Sequence, residues 1–367
     1  MAAVLLVVLF VSAVGWGVPL SAQAGRVADP GRGAGQDASS RAPNPVARAP
    51  LPQCLGETRS LILSRGMPYV PVRLAGRSGF FVLDLGSDGS ALSPATLLGG
   101  ASEPAPLPAA DGSYGPLDFF DPDLRVRLAL QNHSGIEGLV PQGGLIGTDL
   151  LRDHVFTIDY GRALLQRASR GQFCSDAQLR SAGYSPLPSG GYFGSDPAAL
   201  RCPAAPRSRP CPNIPTIPVR IGTVVAVAQV DSGFDDSLRP WSLNINTALL
   251  ERLLATGLPL RRWQAADLRL STCAGVDEAV QAWRLPPRTA LEWLDQEGAV
   301  ARRLEGVTLF VKRPPPEARR CGGIGSWDQP AAQLGASFLA GGSVSVDPFT
   351  ARLWWRPATG SGIEVRN

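Results

Sequence analysis

Charge is scarce in this chain, and lysine almost absent. Only 18% of the 367 residues are charged, and Lys312 is the one lysine among 35 basic residues. No basic cluster is interleaved with aromatics, which leaves nucleic-acid binding without its usual footprint. Histidine is nearly as rare. His133 and His154 are the two present; they lack metal-ligand spacing and read as surface or turn residues, so no metal is expected. No cysteine stands in a C-x-x-C pair, and neither a G-x-S-x-G elbow nor a phosphate-cradling glycine loop occurs. Serine-hydrolase and nucleotide chemistry therefore lack their motifs, and no cofactor is expected. Beyond residue 24 no apolar run is long enough to span a bilayer.

What is present starts with an apolar leader. Residues 1–24 run to Ala22-Gln23-Ala24, a small-x-small ending that reads as a signal peptide cleaved after Ala24. The alternative is an uncleaved anchor, the one way this chain would meet a membrane. Residues 25–52 hold Pro, Gly, Ser, Ala and Arg with little bulky apolar content, the composition of a disordered tether. Six cysteines, an even number, suit the oxidising compartment that export implies, periplasmic or secreted.

The rest is patterned in short alternating strands, and the pattern occurs twice. An N-terminal lobe is expected over 53–187, a Pro/Gly/Ser-rich linker over 188–212, a C-terminal lobe over 213–358 and a tail over 359–367. "FVLDLGSDGSAL" places Asp84, Gly86, Asp88 and Ser90 in the frame D-x-G-x-D-x-S; "AQVDSGFDDSLR" places Asp231, Gly233, Asp235 and Ser237 in the same frame. Each half then closes alike. "GLIGTDLLRDHVFTIDYGRALL" and "AQLGASFLAGGSVSVDPFTARLWW" both set an apolar residue before glycine (Gly147, Gly335). Both follow it with a short apolar turn and a strand that reaches aspartate (Asp159, Asp347). "NTALLERLLATG" predicts one short amphipathic helix with an Asn start and a Gly stop.

An aspartate at the end of a buried strand sits at the rim of a core, and a glycine two residues on lets the chain turn sharply. Two such turns facing each other would set two carboxylates side by side. Like charges that close share one proton. One group can then activate water while the other protonates a carbonyl, which is acid–base hydrolysis without a covalent intermediate.

These motifs resemble the aspartic proteases: retropepsin-like boxes in a pepsin-like two-lobe chain. "VDSGFDDS" is similar to the retroviral D-[ST]-G-A-D-D-T box, and "LIGTDLL" and "QLGASFL" to the apolar-apolar-Gly brace, over roughly residues 60–165 and 214–356. The resemblance implies an all-β fold of two pseudo-symmetric, closed barrel-like lobes with a few short helices. It implies an exported, monomeric endopeptidase acting on peptides or proteins, with Asp84 and Asp231 catalytic. Gly86, Gly233, Asp88 and Asp235 would meet substrate, the alternative for the last two being structural ion pairs. Tyr114, in "DGSYGPLDFF", would sit near the tip of a β-hairpin flap. Ser87, Ser232, Gly147 and Gly335 would support the pair.

The sequence departs from the family pattern in one half. The residue after the catalytic aspartate is normally Thr or Ser, whose hydroxyl crosses to the opposite loop. Ser232 keeps this, but Leu85 does not. After the glycine, a hydroxyl is present as Ser87 and absent at Phe234. An inactive fold that binds peptides or a protein partner is therefore the alternative reading. Keeping each disulfide within one lobe or the linker gives Cys54–Cys174, Cys202–Cys211 and Cys273–Cys321 as the expected pairs.

Overall fold

The computed structural model describes residues 51–97, 106–136, 138–191, 213–234, 241–271, 276–321 and 323–358. The leader, most of the tether and the linker cysteines Cys202 and Cys211 lie outside them. So do Asp235, Ser237, Cys273 and the tail. Within these bounds the chain is all-β with short helices.

In the first half β1 (Glu57–Ser60) and β2 (Ile62–Ser64) precede a long hairpin of β3 (Met67–Leu74) and β4 (Arg77–Leu83). Ala75 and Gly76 make its turn, both at positive φ, as a tight two-residue hairpin requires. Along β3 Val70, Val72 and Leu74 are buried while Pro71 and Arg73 are exposed, the period-2 pattern of a half-buried strand. Then come β5 (Ala91–Leu92), β6 (Tyr114–Phe119), β7 (Asp121–Val126), β8 (Ala129–Leu130) and β9 (Gln142–Ile146). The half closes with α1 (Thr148–Leu151), β10 (Val155–Asp159) and β11 (Leu164–Ala168). Helix α2 (Asp176–Ser181) follows, opened by a reciprocal Ser175–Gln178 capping box, and then β12 (Ser185–Pro188).

The second half also opens on a hairpin. A hairpin of β13 (Thr216–Ile221) and β14 (Val224–Val230) leads to β15 (Ser242–Asn246) and α3 (Thr247–Ala255). Helix α3 starts where the sequence predicts: the Asn246 side chain accepts the Leu249 N–H. Strands β16 (Arg261–Arg262), β17 (Leu268–Ser271), β18 (Asp277–Arg284), β19 (Leu291–Leu294), β20 (Val300–Leu304) and β21 (Thr308–Lys312) precede β22 (Ala331–Leu334). Helix α4 (Ala336–Leu339), β23 (Gly342–Asp347) and β24 (Arg352–Pro357) end the described chain.

Around each aspartate turn the pairings of four strands correspond. In an eight-stranded sheet β4 pairs with β3, runs parallel to β9, and β9 pairs antiparallel with β5. In a ten-stranded sheet β14 pairs with β13, runs parallel to β22, and β22 pairs antiparallel with β15. The registers agree: Leu83 faces Ile146, and Val230 faces Leu334. A third sheet, ordered β1-β11-β10-β23-β24-β12, is shared by both halves. At its centre β10 and β23 pair antiparallel, Thr157 opposite Ser345, their buried hydroxyls 2.7 Å apart. One apolar core includes Leu83, Leu85 and Ile146 from the first half and Val230, Leu243 and Leu334 from the second.

Two placements go beyond what the sequence showed. Strand β12, placed by the sequence at the end of the first lobe, hydrogen-bonds β24 of the second half, Leu187 opposite Leu353. His133 opens a turn, its carbonyl accepting the Ile136 N–H at 3.0 Å, but it is not on the surface: it is 1% exposed and belongs to the polar network described below.

Candidate active site

Strand β4 ends at Asp84 and β14 at Asp231. Both aspartates are buried, and each backbone N–H donates across the sheet at 2.9 Å, Asp84 to the Ile146 carbonyl and Asp231 to that of Leu334. Strand β9 lies between the two strands that flank the Asp84 turn, so the chain leaving β9 passes beneath that turn. Gly147 makes the passage possible, since a Cβ there would stand 2.7 Å from the Gly89 carbonyl and 2.9 Å from that of Ser87. Gly335 does the same under the second turn, where a Cβ would stand 2.7 Å from the Phe234 carbonyl. The next N–H in each half closes the contact: Thr148 donates to Ser87 at 2.9 Å and Ala336 to Phe234 at 2.7 Å.

The two aspartate turns face one another. A Cβ added to Gly86 would fall on the Asp231 carboxyl, and one added to Gly233 would fall on that of Asp84. The carboxyls are thus close enough to act on each other's charge. Each also accepts its own turn's glycine N–H, Gly86 to Asp84 at 2.8 Å and Gly233 to Asp231 at 3.0 Å. Burial, then the neighbouring Asp231 charge, hold Asp84 well above the ordinary carboxylate range. Burial raises Asp231 too, against hydrogen bonds from the Gln333 amide and from Asp84 that pull it back.

The cross-brace is one-sided, as the sequence implies. The Ser232 hydroxyl donates to the Leu83 carbonyl at 2.6 Å and accepts the Leu85 N–H at 3.0 Å. Leu85 returns no such bond; its side chain is 1% exposed in the main core. The Ser87 hydroxyl donates to the Gly89 carbonyl at 2.7 Å, while its backbone N–H reaches the Asp84 carboxyl. Asp88 stands exposed on its turn. No protein-family model and no curated protein matches this chain. What the site can do must therefore be argued from its own groups.

Several of those groups carried no role in the sequence. Gln333 donates to Asp231 Oδ2, and Asn244 donates to Gln333 Oε1 at 3.0 Å. Gln229 crosses to the Gly86 carbonyl at 3.1 Å. Tyr160 is buried near Asp231, and burial and that charge push its phenol up. Ser90 latches the two boxes of the first half: it donates to Asp149 Oδ1 at 2.7 Å and accepts the Gly147 N–H at 2.9 Å. The available signal was a glutamine inside the apolar strand "AAQL" and a serine recurring in the motif frame.

Behind Asp84 runs a buried polar chain. Tyr69 donates to Gln142 Oε1 at 3.0 Å, and Gln142 Nε2 donates to His133 Nδ1 at 3.3 Å. His133 Nε2 then meets Gln131 Oε1 at 2.9 Å. Burial pushes Tyr69 up to about 12 and His133 down to about 4. His133 is thus a neutral imidazole with its proton on Nε2.

The expected flap is placed differently. Tyr114 opens β6 and is buried, paired with Val126 at the open end of the β6–β7 hairpin rather than at its tip. The tip is Phe120, at positive φ, and it packs on Phe156 with the Arg59 and Arg167 guanidinia against its ring. A tight turn at Ala109–Gly112 comes just before Tyr114.

Proposed function

We propose that the chain is an exported aspartic endopeptidase, two-lobed and monomeric, acting on peptide or protein substrates. The observation that carries this is the contact between the buried Asp84 and Asp231 carboxyls, each brought in by a matching strand–turn–glycine unit. The repeated pairings of β4 and β9 with those of β14 and β22 support two related lobes meeting at the shared six-stranded sheet. In the reaction the ionised carboxylate takes a proton from water, and the water oxygen bonds the peptide carbon. The protonated carboxyl gives its proton to the carbonyl oxygen. Collapse of the tetrahedral species breaks the C–N bond as a proton passes to the leaving nitrogen. Gly86, Gly233 and the exposed Asp88 line the turns beside this point, with Asp235 in the matching position of the second motif.

Export agrees with the disulfide between Cys54 and Cys174, a bond of oxidising compartments. No helix among the described residues is long and apolar enough to cross a membrane. The other proposed bridges, Cys202–Cys211 and Cys273–Cys321, involve residues outside those described. A peptide-binding protein without hydrolysis is the second reading, favoured by the one-sided brace at Leu85.

The test is hydrolysis of an unfolded protein from acidic to neutral pH, with and without a statine-type inhibitor. Asp84→Asn or Asp231→Asn should each lower the rate by ~10²–10⁴ or more. Each should leave the chain folded. A carboxyl whose folded pKa is raised stabilises fully below its unfolded value near 4, and that contribution is lost as pH rises through the folded value. Asp84→Asn should therefore raise the melting temperature at neutral pH and change it little at pH 3. An Asp84→Asn protein with the wild-type rate would overturn the endopeptidase reading.

A further inference from the structure

The two halves place matching backbone around the carboxyls but not matching side chains. Leu334 and Ile146 hold the same register position, so Gln333 corresponds to Leu145. Asn244, opposite Gln333, corresponds to Ala91, opposite Leu145. Gln229, opposite Gln333 on the other side, corresponds to Val82. Asp231 thus stands in a half carrying three amides, where Asp84 has leucine, alanine and valine.

The amides are ordered in a fixed direction. Asn244 donates to Gln333 Oε1, which leaves Gln333 Nε2 to point at the Asp231 carboxylate. A donor aimed at a buried carboxyl favours its ionised form. Asp84 has no amide in the corresponding place. The titratable neighbours are alike on the two sides, Tyr69 and Asp231 beside Asp84 and Tyr160 and Asp84 beside Asp231, so the contrast lies in the amides.

We propose that Gln333, oriented by Asn244, is a positioning residue that keeps the charge of the pair on Asp231 and the proton on Asp84. This rests on the reading of the pair as an acid–base dyad. It makes Asp231 the group that takes the proton from water and Asp84 the group that protonates the carbonyl oxygen. The direction of proton flow is then set by an asymmetry outside the motif itself.

Carboxyl-carbon NMR titration of the full folded chain tests this without any need for hydrolysis. In an Asp84→Asn background Asp231 titrates alone. Adding Gln333→Met, which keeps length but removes the donor, should raise the Asp231 midpoint by about one pH unit, the scale of one charge-assisted hydrogen bond. In an Asp231→Asn background the same change should move the Asp84 midpoint far less. Asn244→Ala, which frees the Gln333 amide to turn, should shift Asp231 in the same direction by a smaller amount; it carries the test if Gln333→Met does not fold. With activity intact, Gln333→Met should also move the acid limb of the rate profile to higher pH. An unmoved Asp231 midpoint, or equal shifts at both aspartates, would overturn the assignment. A chain that hydrolyses nothing yet shows the selective shift would overturn the endopeptidase reading and leave the assignment standing.

Discussion

At the scale of single residues, Ser232 carries more than its size suggests. Its hydroxyl crosses between the aspartate turns at their inner positions, satisfying the Leu83 carbonyl and the Leu85 N–H together. Ser232→Ala would leave two buried backbone groups without that partner, at a cost of ~2–4 kcal/mol. The expected outcome is a lower urea midpoint and, on the proposed endopeptidase reading, a drop in kcat larger than any change in KM. The opposite residue could not compensate, since Leu85 is committed to the core. Both facts about this pair were legible in the sequence, because the loss of a hydroxyl at a motif position is a local statement. Gln333 was not legible in the same way: its meaning depends on which residue faces it across β15 and on which carboxylate its amide reaches. Both are settled by register and not by spacing.

Between elements, the buried chain Tyr69–Gln142–His133–Gln131 ties β3, β9 and the turn after β8 into one polar seam. His133 must stay neutral to accept from Gln142. Its folded value near 4 lies below the ordinary 6.5, so it favours the folded chain above pH 6.5 and costs stability as pH falls toward 4. The full loss is on the order of 3 kcal/mol. His133→Gln keeps hydrogen-bonding capacity and cannot charge, so it should flatten the fall in melting temperature between pH 6.5 and 4. An unchanged slope would mean the imidazole is not what senses acid there. The sequence marked His133 as a surface or turn residue; the turn is there, but its burial was not legible, because one histidine between polar neighbours shows no period. Strands were legible where alternation was strict, as in β3, and helix α3 where its Asn246 cap announced it. The hairpin tip was missed because Tyr114-Gly115 looks like a turn, whereas the reversal falls at Phe120, held by two arginines and Phe156.

Across the whole molecule, the Cys54–Cys174 bridge joins residues 120 apart, tying the approach to β1 to the segment before α2. Around it pack Leu55, Leu179, Tyr184 and Trp354. Closing so long a loop should stabilise by ~4–5 kcal/mol if the unfolded chain is otherwise unconstrained. Cys54→Ser with Cys174→Ser is expected to lower the guanidinium midpoint by an amount of that order, and peptide mapping of the unreduced wild type should recover this pair.

The pairing of β10 with β23 has a further meaning. Its register is centred on Thr157 and Ser345, two residues at corresponding places in the two halves, so each half offers the other an edge that resembles its own. Each half thus completes its share of the six-stranded sheet only through the other: β10 and β23 leave no open edge at the junction, and the buried hydroxyl pair fixes which residue meets which.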